Sequence, residues 1–137
     1  MTCCPLNLVP LVLLAILPLG CASFSDGDGE AVERVGGLWV PTGEAWTART
    51  APVDSVTFDA SKHVLTDEDF AAVYPSLRRM DPLHLGLRGS HVSDRSVPLI
   101  NRLPSLRDLD LRGTGVTQEG RSRLRSGITV TMDPVQP

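Results

Sequence analysis

Hydrophobic and polar side chains alternate in two stretches of the C-terminal half that are nearly the same sequence. Residues 85–95 read L-G-L-R-G-S-H-V-S-D-R, and residues 109–119, which begin 24 positions later, read L-D-L-R-G-T-G-V-T-Q-E. Alternation of this kind predicts a strand with one buried face, after which a glycine turns the chain. A repeat of this period predicts a solenoid, in which each copy buries its apolar side against the next copy.

Both copies predict the same sequence of elements, a strand, a turn and a short helix. The core positions of the first copy are Leu83, Leu85, Leu87, Val92, Val97 and Ile100. Those of the second copy are Leu106, Leu109, Leu111, Val116 and Leu124. Ser93 and Thr117 stand where a helix N-cap is expected, and the second helix is predicted from about Glu119 to Arg125. Gly89 and Gly113 occupy turn positions that favour a positive φ.

A more divergent third copy precedes these two. Val53, Val56 and Phe58 have the same spacing as the leucines of the second copy, and Thr66-x-x-Asp69 resembles a helix N-terminal box. The run Y-P-S-L at residues 74–77 also matches L-P-S-L at residues 103–106.

Both ends of the repeated region predict edge elements. A further strand is expected at residues 128–132, at the C-terminal edge. At the other end, residues 31–40 read as a helix, two glycines and a strand, and Trp39 and Trp46 are expected to cover that edge of the core.

The pattern L-x-x-L-x-L-x-G-T-x-V-T-x-x-G resembles the leucine-rich repeat family, in particular the subgroup that includes ribonuclease-inhibitor-like and exported bacterial members. The resemblance implies an α/β fold: a short solenoid with a curved parallel sheet of about three to four strands and short helices on its outer side. The repeat domain is expected at residues 30–137, with an N-terminal cap at residues 30–52 and about three repeats from residue 53.

The first residues predict export. An apolar run from Leu8 to Leu19 is too short to span a bilayer and is typical of the hydrophobic region of a signal peptide, which we assign to residues 1–20. The following P-L-G-C resembles the lipobox of bacterial lipoproteins, which implies that Cys21 carries a lipid anchor. Cleavage after Ala22, which gives a soluble secreted protein, is the alternative. Residues 21–29 are rich in small and acidic residues and predict a flexible tether.

Composition narrows the chemistry. The chain has 3 cysteines, at residues 3, 4 and 21, so the predicted mature domain has no disulfide and no thiolate metal site. Residues 22–69 carry ten acidic and three basic side chains, whereas residues 70–137 carry six acidic and ten basic ones. Neither half concentrates lysine and arginine in the way that nucleic-acid binding requires. His63, His84 and His91 have no spacing that predicts a metal site, and no motif predicts a cofactor.

Function in such a fold is expected on the side chains that point outward from the strands. Neighbouring strands place these side chains in three columns: Ser55, His84 and Asp108; Thr57, Gly86, Asp110 and Thr129; and Asp59, Arg88, Arg112 and Thr131. The candidate partner-binding residues are His84, Arg88, Asp108, Asp110 and Arg112. Arg88 and Arg112 are expected to lie side by side, where an acidic ligand would relieve their repulsion and Asp59 would compensate it in part.

The expected function is a non-enzymatic interaction module, exported and membrane-anchored, whose protein partner the sequence does not identify. The alternative is a structural or vestigial repeat protein with no specific ligand. A remote alternative is a small hydrolase, because Ser55, His84 and Asp108 are the residue types of a serine hydrolase triad. No G-x-S-x-G motif accompanies them.

Overall fold

A computed structural model describes residues 25–42 and 52–134 as an α/β fold built on one five-stranded sheet. Its strands are β1 (Gly37–Val40), β2 (Ser55–Phe58), β3 (His84–Gly86), β4 (Asp108–Asp110) and β5 (Thr129–Thr131). Its helices are α1 (Asp26–Arg34), α2 (Asp67–Met80), α3 (Val97–Ile100) and α4 (Gln118–Ser122), and a 3₁₀ turn at Asp94–Ser96 precedes α3.

The strands lie in chain order across the sheet, and the sheet is mostly parallel. β2, β3, β4 and β5 pair in parallel, as expected, but β1 pairs with β2 in the antiparallel direction. A sheet of three to four parallel strands was predicted. The sheet has four parallel strands and a fifth, β1, that runs in the opposite direction. Because Trp39 pairs with Val56, the side chains of β1 join the same two faces as those of β2.

One hydrophobic core lies between the sheet and the helices. The inward side chains of the three central strands are buried together with those of α2 and α3. The predicted core leucines at 85, 87, 109 and 111 are among them, whereas Leu83 is only partly buried and Pro82 is buried in its place. Pro82 therefore corresponds to Val53 and Leu106, each of which lies three residues before the first buried position of its strand.

Two other alignments within the sequence are wrong. Residues 74–77 lie inside α2, whereas residues 103–106 form the loop before β4, so their similarity is not structural. In β5, Thr129 pairs with Asp108 and Thr131 pairs with Asp110. The predicted columns instead placed Thr129 beside Asp110 and Thr131 beside Arg112, a shift of two residues. Both registers keep the alternation of a short Ile/Val/Thr strand, so alternation does not distinguish them.

The helices begin at the predicted caps. The Thr66 hydroxyl accepts a hydrogen bond from the Asp69 N–H, and Thr117 does the same for Gly120. Helix α4 ends at Ser122, three residues before the predicted end, and Leu124 is only partly buried. Gly89 and Gly113 have φ values of 73° and 66°, as expected for their turns.

Helix α1 begins inside the segment that was expected to be a tether. Asp26–Gly29 form its first turn, so the folded part begins earlier than the predicted boundary at residue 30. The Asp28 carboxylate is buried and forms an ion pair with Arg79 on α2. This pair fixes α1 against α2. The predicted signal peptide at residues 1–20, the predicted lipidation site Cys21 and the predicted edge residue Trp46 lie outside the described residues.

Aspartates connect each copy to the next one. The Asp67 carboxylate accepts hydrogen bonds from the Ser93 N–H (3.0 Å) and the Ser93 hydroxyl (2.6 Å). One copy later, Asp94 binds the N–H and hydroxyl of Thr117 at 2.7 and 2.6 Å. Asp67 and Asp94 each come directly after the N-cap residue of their copy. The equivalent position in the two copies therefore makes the same hydrogen bonds to the next copy.

Within residues 25–42 and 52–134, no helix has both the length and the apolar character needed to cross a membrane.

Candidate binding face

The side of the sheet that faces away from the helices carries two rows of side chains, and we call it the open face. The first row crosses the strands as Val40, Ser55, His84, Asp108 and Thr129. The second row crosses them as Leu38, Thr57, Gly86, Asp110 and Thr131. All of these residues are exposed or partly exposed, so the open face is accessible along its whole width.

A shallow depression of about 200 Å³ lies at the centre of the open face. It is lined by side chains of both rows, and its floor includes Gly86, Leu85 and Leu109. A Cβ at position 86 would lie 2.9 Å from the Thr57 Cγ2 atom. A larger residue at this position would press on the exposed Thr57 side chain and would fill part of the depression.

His84 and Asp108 form a pair on adjacent strands. The His84 Nδ1 atom lies 2.8 Å from Asp108 Oδ2, and the two side chains are 46% and 47% exposed. The first predicted column placed these two residues next to each other, and the register confirms it. The carboxylate orients the imidazole so that Nε2 is left for another partner.

The third residue type of the hydrolase alternative is provided by Ser55. Ser55 lies beside His84 in the strand register, on the side opposite Asp108. No hydrogen bond joins Ser55 to His84 in the described part of the chain. The depression on this face is open to solvent.

Asp110 and Arg112 form a second pair, which changes the expected arginine column. Arg112 donates to Asp110 Oδ1 from Nε at 2.9 Å and to Oδ2 from Nη2 at 2.6 Å. This hydrogen bonding lowers the pKa of Asp110 against the opposing effect of partial burial, and the nearby Arg88 charge lowers it further. The same pair raises the pKa of Arg112. The charge of Arg112 is thus largely neutralised by Asp110, two residues before it in the chain.

Arg88 differs from Arg112, because it acts on the Asp110 carboxylate only through its charge. Its side chain is exposed, and it has no hydrogen bond or ion pair within residues 25–42 and 52–134. Asp59 does not compensate it, because the Asp59 carboxylate binds the N–H and hydroxyl of Ser61 at 2.9 and 2.6 Å. The expected pair of unpaired arginines is therefore reduced to one.

Leu38 and Val40 are the part of the open face that the sequence interpretation missed. Their side chains are 51% and 43% exposed, and they lie beside Thr57 and Ser55. The signal was present in G-G-L-W-V, where Trp39 is the inward residue between two outward ones. The pattern G-G-L-W-V does not show the direction in which this strand pairs, so it does not show that Leu38 and Val40 share a face with Ser55 and Thr57.

The remaining histidines lie apart from this face. His63 Nε2 contacts Asp69 Oδ2 at 3.1 Å near the start of α2, and the backbone N–H of His91 donates to Leu65. Across the described ranges, no three histidine, cysteine, aspartate or glutamate side chains are grouped so that they could hold a metal ion.

Comparison of the chain with protein-family models, with curated proteins and with solved structures gives no match.

Proposed function

We propose that this chain is a non-enzymatic interaction module, a short leucine-rich-repeat solenoid held at the cell envelope by a lipid on Cys21, that binds a protein partner on its open face. The observation that carries the proposal is the composition of this face. It combines exposed Leu38 and Val40 with the His84–Asp108 pair on one continuous surface. Apolar side chains bordered by charged and polar ones are the composition of a protein–protein interface, with an apolar centre and a polar rim.

Several features support the repeat-domain part of the proposal. The two best copies have matching strands, turn glycines and helix caps. The carboxylate links of Asp67 and Asp94 occur at the same position in successive copies. Stacking of identical units, each of which contacts its neighbours, is the basis of solenoid stability.

The lipid anchor is tested by mass spectrometry of the mature N-terminus. We expect a diacylglyceryl-modified Cys21, and we expect Cys21→Ser to move the protein from the membrane fraction to the soluble fraction. A mature chain that begins at Ser23 without lipid would instead establish simple secretion.

Partner binding is tested by photo-crosslinking in native membranes, with the crosslinking amino acid at Thr57 on the open face or at Arg78 on the helical side. Both residues are exposed. We expect one saturable adduct from position 57, displaced by excess unlabelled protein and not formed from position 78.

The charge of the face is tested in the same assay. The Asp108→Lys variant is expected to weaken the adduct, because it removes the His84–Asp108 pair and reverses the charge at this position. Arg78→Glu serves as the control charge reversal on the helical side. If no displaceable adduct forms from position 57, the alternative of a structural or vestigial repeat protein is favoured.

A further inference from the structure

The two ends of the open face differ in chemistry, and this difference limits what can bind there. Hydrocarbon is provided by Leu38 and Val40 on β1, and carboxylates are provided by Asp108 and Asp110 on β4. Three strand steps of about 4.8 Å separate these strands, so the two regions lie roughly 14 Å apart. Between them, Ser55, Thr57 and Gly86 present small side chains, and the His84 imidazole lies next to Asp108 in the first row.

The charge on β4 points to a cation. Asp110 already holds Arg112 with both carboxylate oxygens. The Asp108 carboxylate instead contacts an imidazole through Oδ2 and accepts no further hydrogen bond in the described part of the chain. It also lies in the row further from Arg88 and Arg112, where repulsion of an incoming cation is weaker. A lysine or arginine of a ligand is therefore best placed on Asp108.

The distance between the two regions points to an extended peptide. Extended backbone advances about 3.3 Å per residue, so four residues span about 13 Å. Residues i, i+2 and i+4 of an extended chain point to the same side. A peptide that crosses the strands can thus place residue i on Leu38 and Val40, residue i+2 in the depression at Gly86, and residue i+4 on Asp108.

We propose that the open face binds an extended peptide segment of a partner protein, in which an apolar side chain and a lysine or arginine stand four residues apart. This inference rests on the proposed function and names the class of partner for the same face. The unlike ends of the face also set the direction of the bound peptide, because the reverse direction would place the cation against hydrocarbon.

The test is an NMR titration of the full-length chain with Cys21→Ser, held in detergent micelles, with short acetylated and amidated peptides. The first peptide has leucine and lysine four residues apart, separated by Ser-Ala-Ser. One control peptide has glutamate in place of lysine, and another has the same composition with leucine and lysine two residues apart. We expect the first peptide to shift the backbone signals of β1 to β4 and to bind about tenfold more tightly than the glutamate control.

Variants of the face make the test specific. Asp108→Asn is expected to weaken binding of the lysine peptide about three- to fivefold, since the contact is partly exposed. Asp108→Lys is expected to reverse the preference between lysine and glutamate peptides. Leu38→Ser should weaken both, and Leu38→Met should restore binding. Unchanged amide signals outside the substituted strand verify that each variant is folded.

The outcomes separate this inference from the proposed function. If the crosslinking partner is found but the peptides bind without regard to charge or spacing, the inference is wrong and the proposed function stands. If sedimentation shows that the chain self-associates and Leu38→Ser abolishes this, the occupant is a second copy and the peptide inference is wrong. If neither partner nor peptide binds, both fail.

Discussion

The carboxylate of Asp67 binds both the backbone N–H and the hydroxyl of Ser93, which lies 26 residues later in the chain. The same carboxylate also accepts a 2.5 Å hydrogen bond from the buried hydroxyl of Ser96. These hydrogen bonds lower the pKa of Asp67, against the larger single effect of burial, which raises it. One side chain at the start of α2 therefore fixes the next copy in place.

Loss of this carboxylate should destabilise the fold. We expect Asp67→Ala to reduce the free energy of unfolding by about 1–3 kcal/mol, because the Ser93 N–H and the buried Ser96 hydroxyl lose their acceptor. Urea unfolding followed by circular dichroism measures the change. Gln118→Ala is the matched control, because Gln118 follows its N-cap as Asp67 does but is exposed and holds no later copy. Equal losses in the two variants would contradict the role of Asp67.

Gly120 should be intolerant of alanine, although alanine is favoured over glycine in a helix by about 1 kcal/mol. A Cβ at this position would overlap the Asp94 carboxylate. We therefore expect Gly120→Ala to lower the unfolding midpoint. In an Asp94→Ala background the same change should be neutral or stabilising, because the space is then free. Additive effects in this double-mutant cycle would show that the two residues do not interact.

Acid should weaken the attachment of α1. Hydrogen bonding from the Arg79 guanidinium holds the pKa of Asp28 well below its usual range, despite the opposing effect of burial. Since the folded pKa is the lower one, the stabilisation is complete above the unfolded value of about 4 and is lost as pH falls below it.

The test of this pair compares urea midpoints from pH 7 to pH 3 in the parent, Arg79→Ala and Arg78→Ala. We expect Arg79→Ala to be less stable at pH 7 and to lose less stability on acidification than the parent. The exposed neighbour Arg78 should give the parent profile. The pKa values of Asp67 and Asp94 are also lowered, so all three proteins should lose some stability in acid. The difference between their pH profiles therefore measures the contribution of Asp28.

No ester hydrolysis is expected from the His84–Asp108 pair. Ser55 lies on the adjacent strand without a hydrogen bond to His84 in the described residues, and the open face does not exclude water. An activated ester should therefore be hydrolysed at the same background rate by the parent and by His84→Ala. Turnover by the parent that disappears in His84→Ala would establish the hydrolase alternative instead.

The sequence predicted the parts of the fold that depend on local alternation and on turn chemistry. The strands that contain Leu85 and Leu109, the glycine turns and the caps at Ser93 and Thr117 are signalled within a few residues. The register of β5 could not be predicted in this way, because alternation alone allows a shift of two residues. The buried Pro82 was missed because the neighbouring Leu83 fits the expected apolar position equally well.

The site was predictable in its residues but not in its pairings. The open-face positions of His84, Asp108 and Asp110 follow from alternation, whereas the choice of Asp110 as the partner of Arg112 depends on side-chain rotation. The apolar end of the face depends on the pairing direction of β1. The carboxylate links from Asp67 and Asp94 join residues more than twenty positions apart, and only their repetition after each N-cap would have revealed them.

With the proposed lipid on Cys21, the early start of α1 would limit how far the domain can move from a membrane. Only four peptide units separate Cys21 from Ser25, the N-cap of α1, and a fully extended chain of that length reaches about 14 Å. This short connection would keep the first helix close to the lipid headgroups. A partner would then have to meet the protein close to the membrane surface. We therefore expect binding to favour proteins that are themselves concentrated at the same membrane surface.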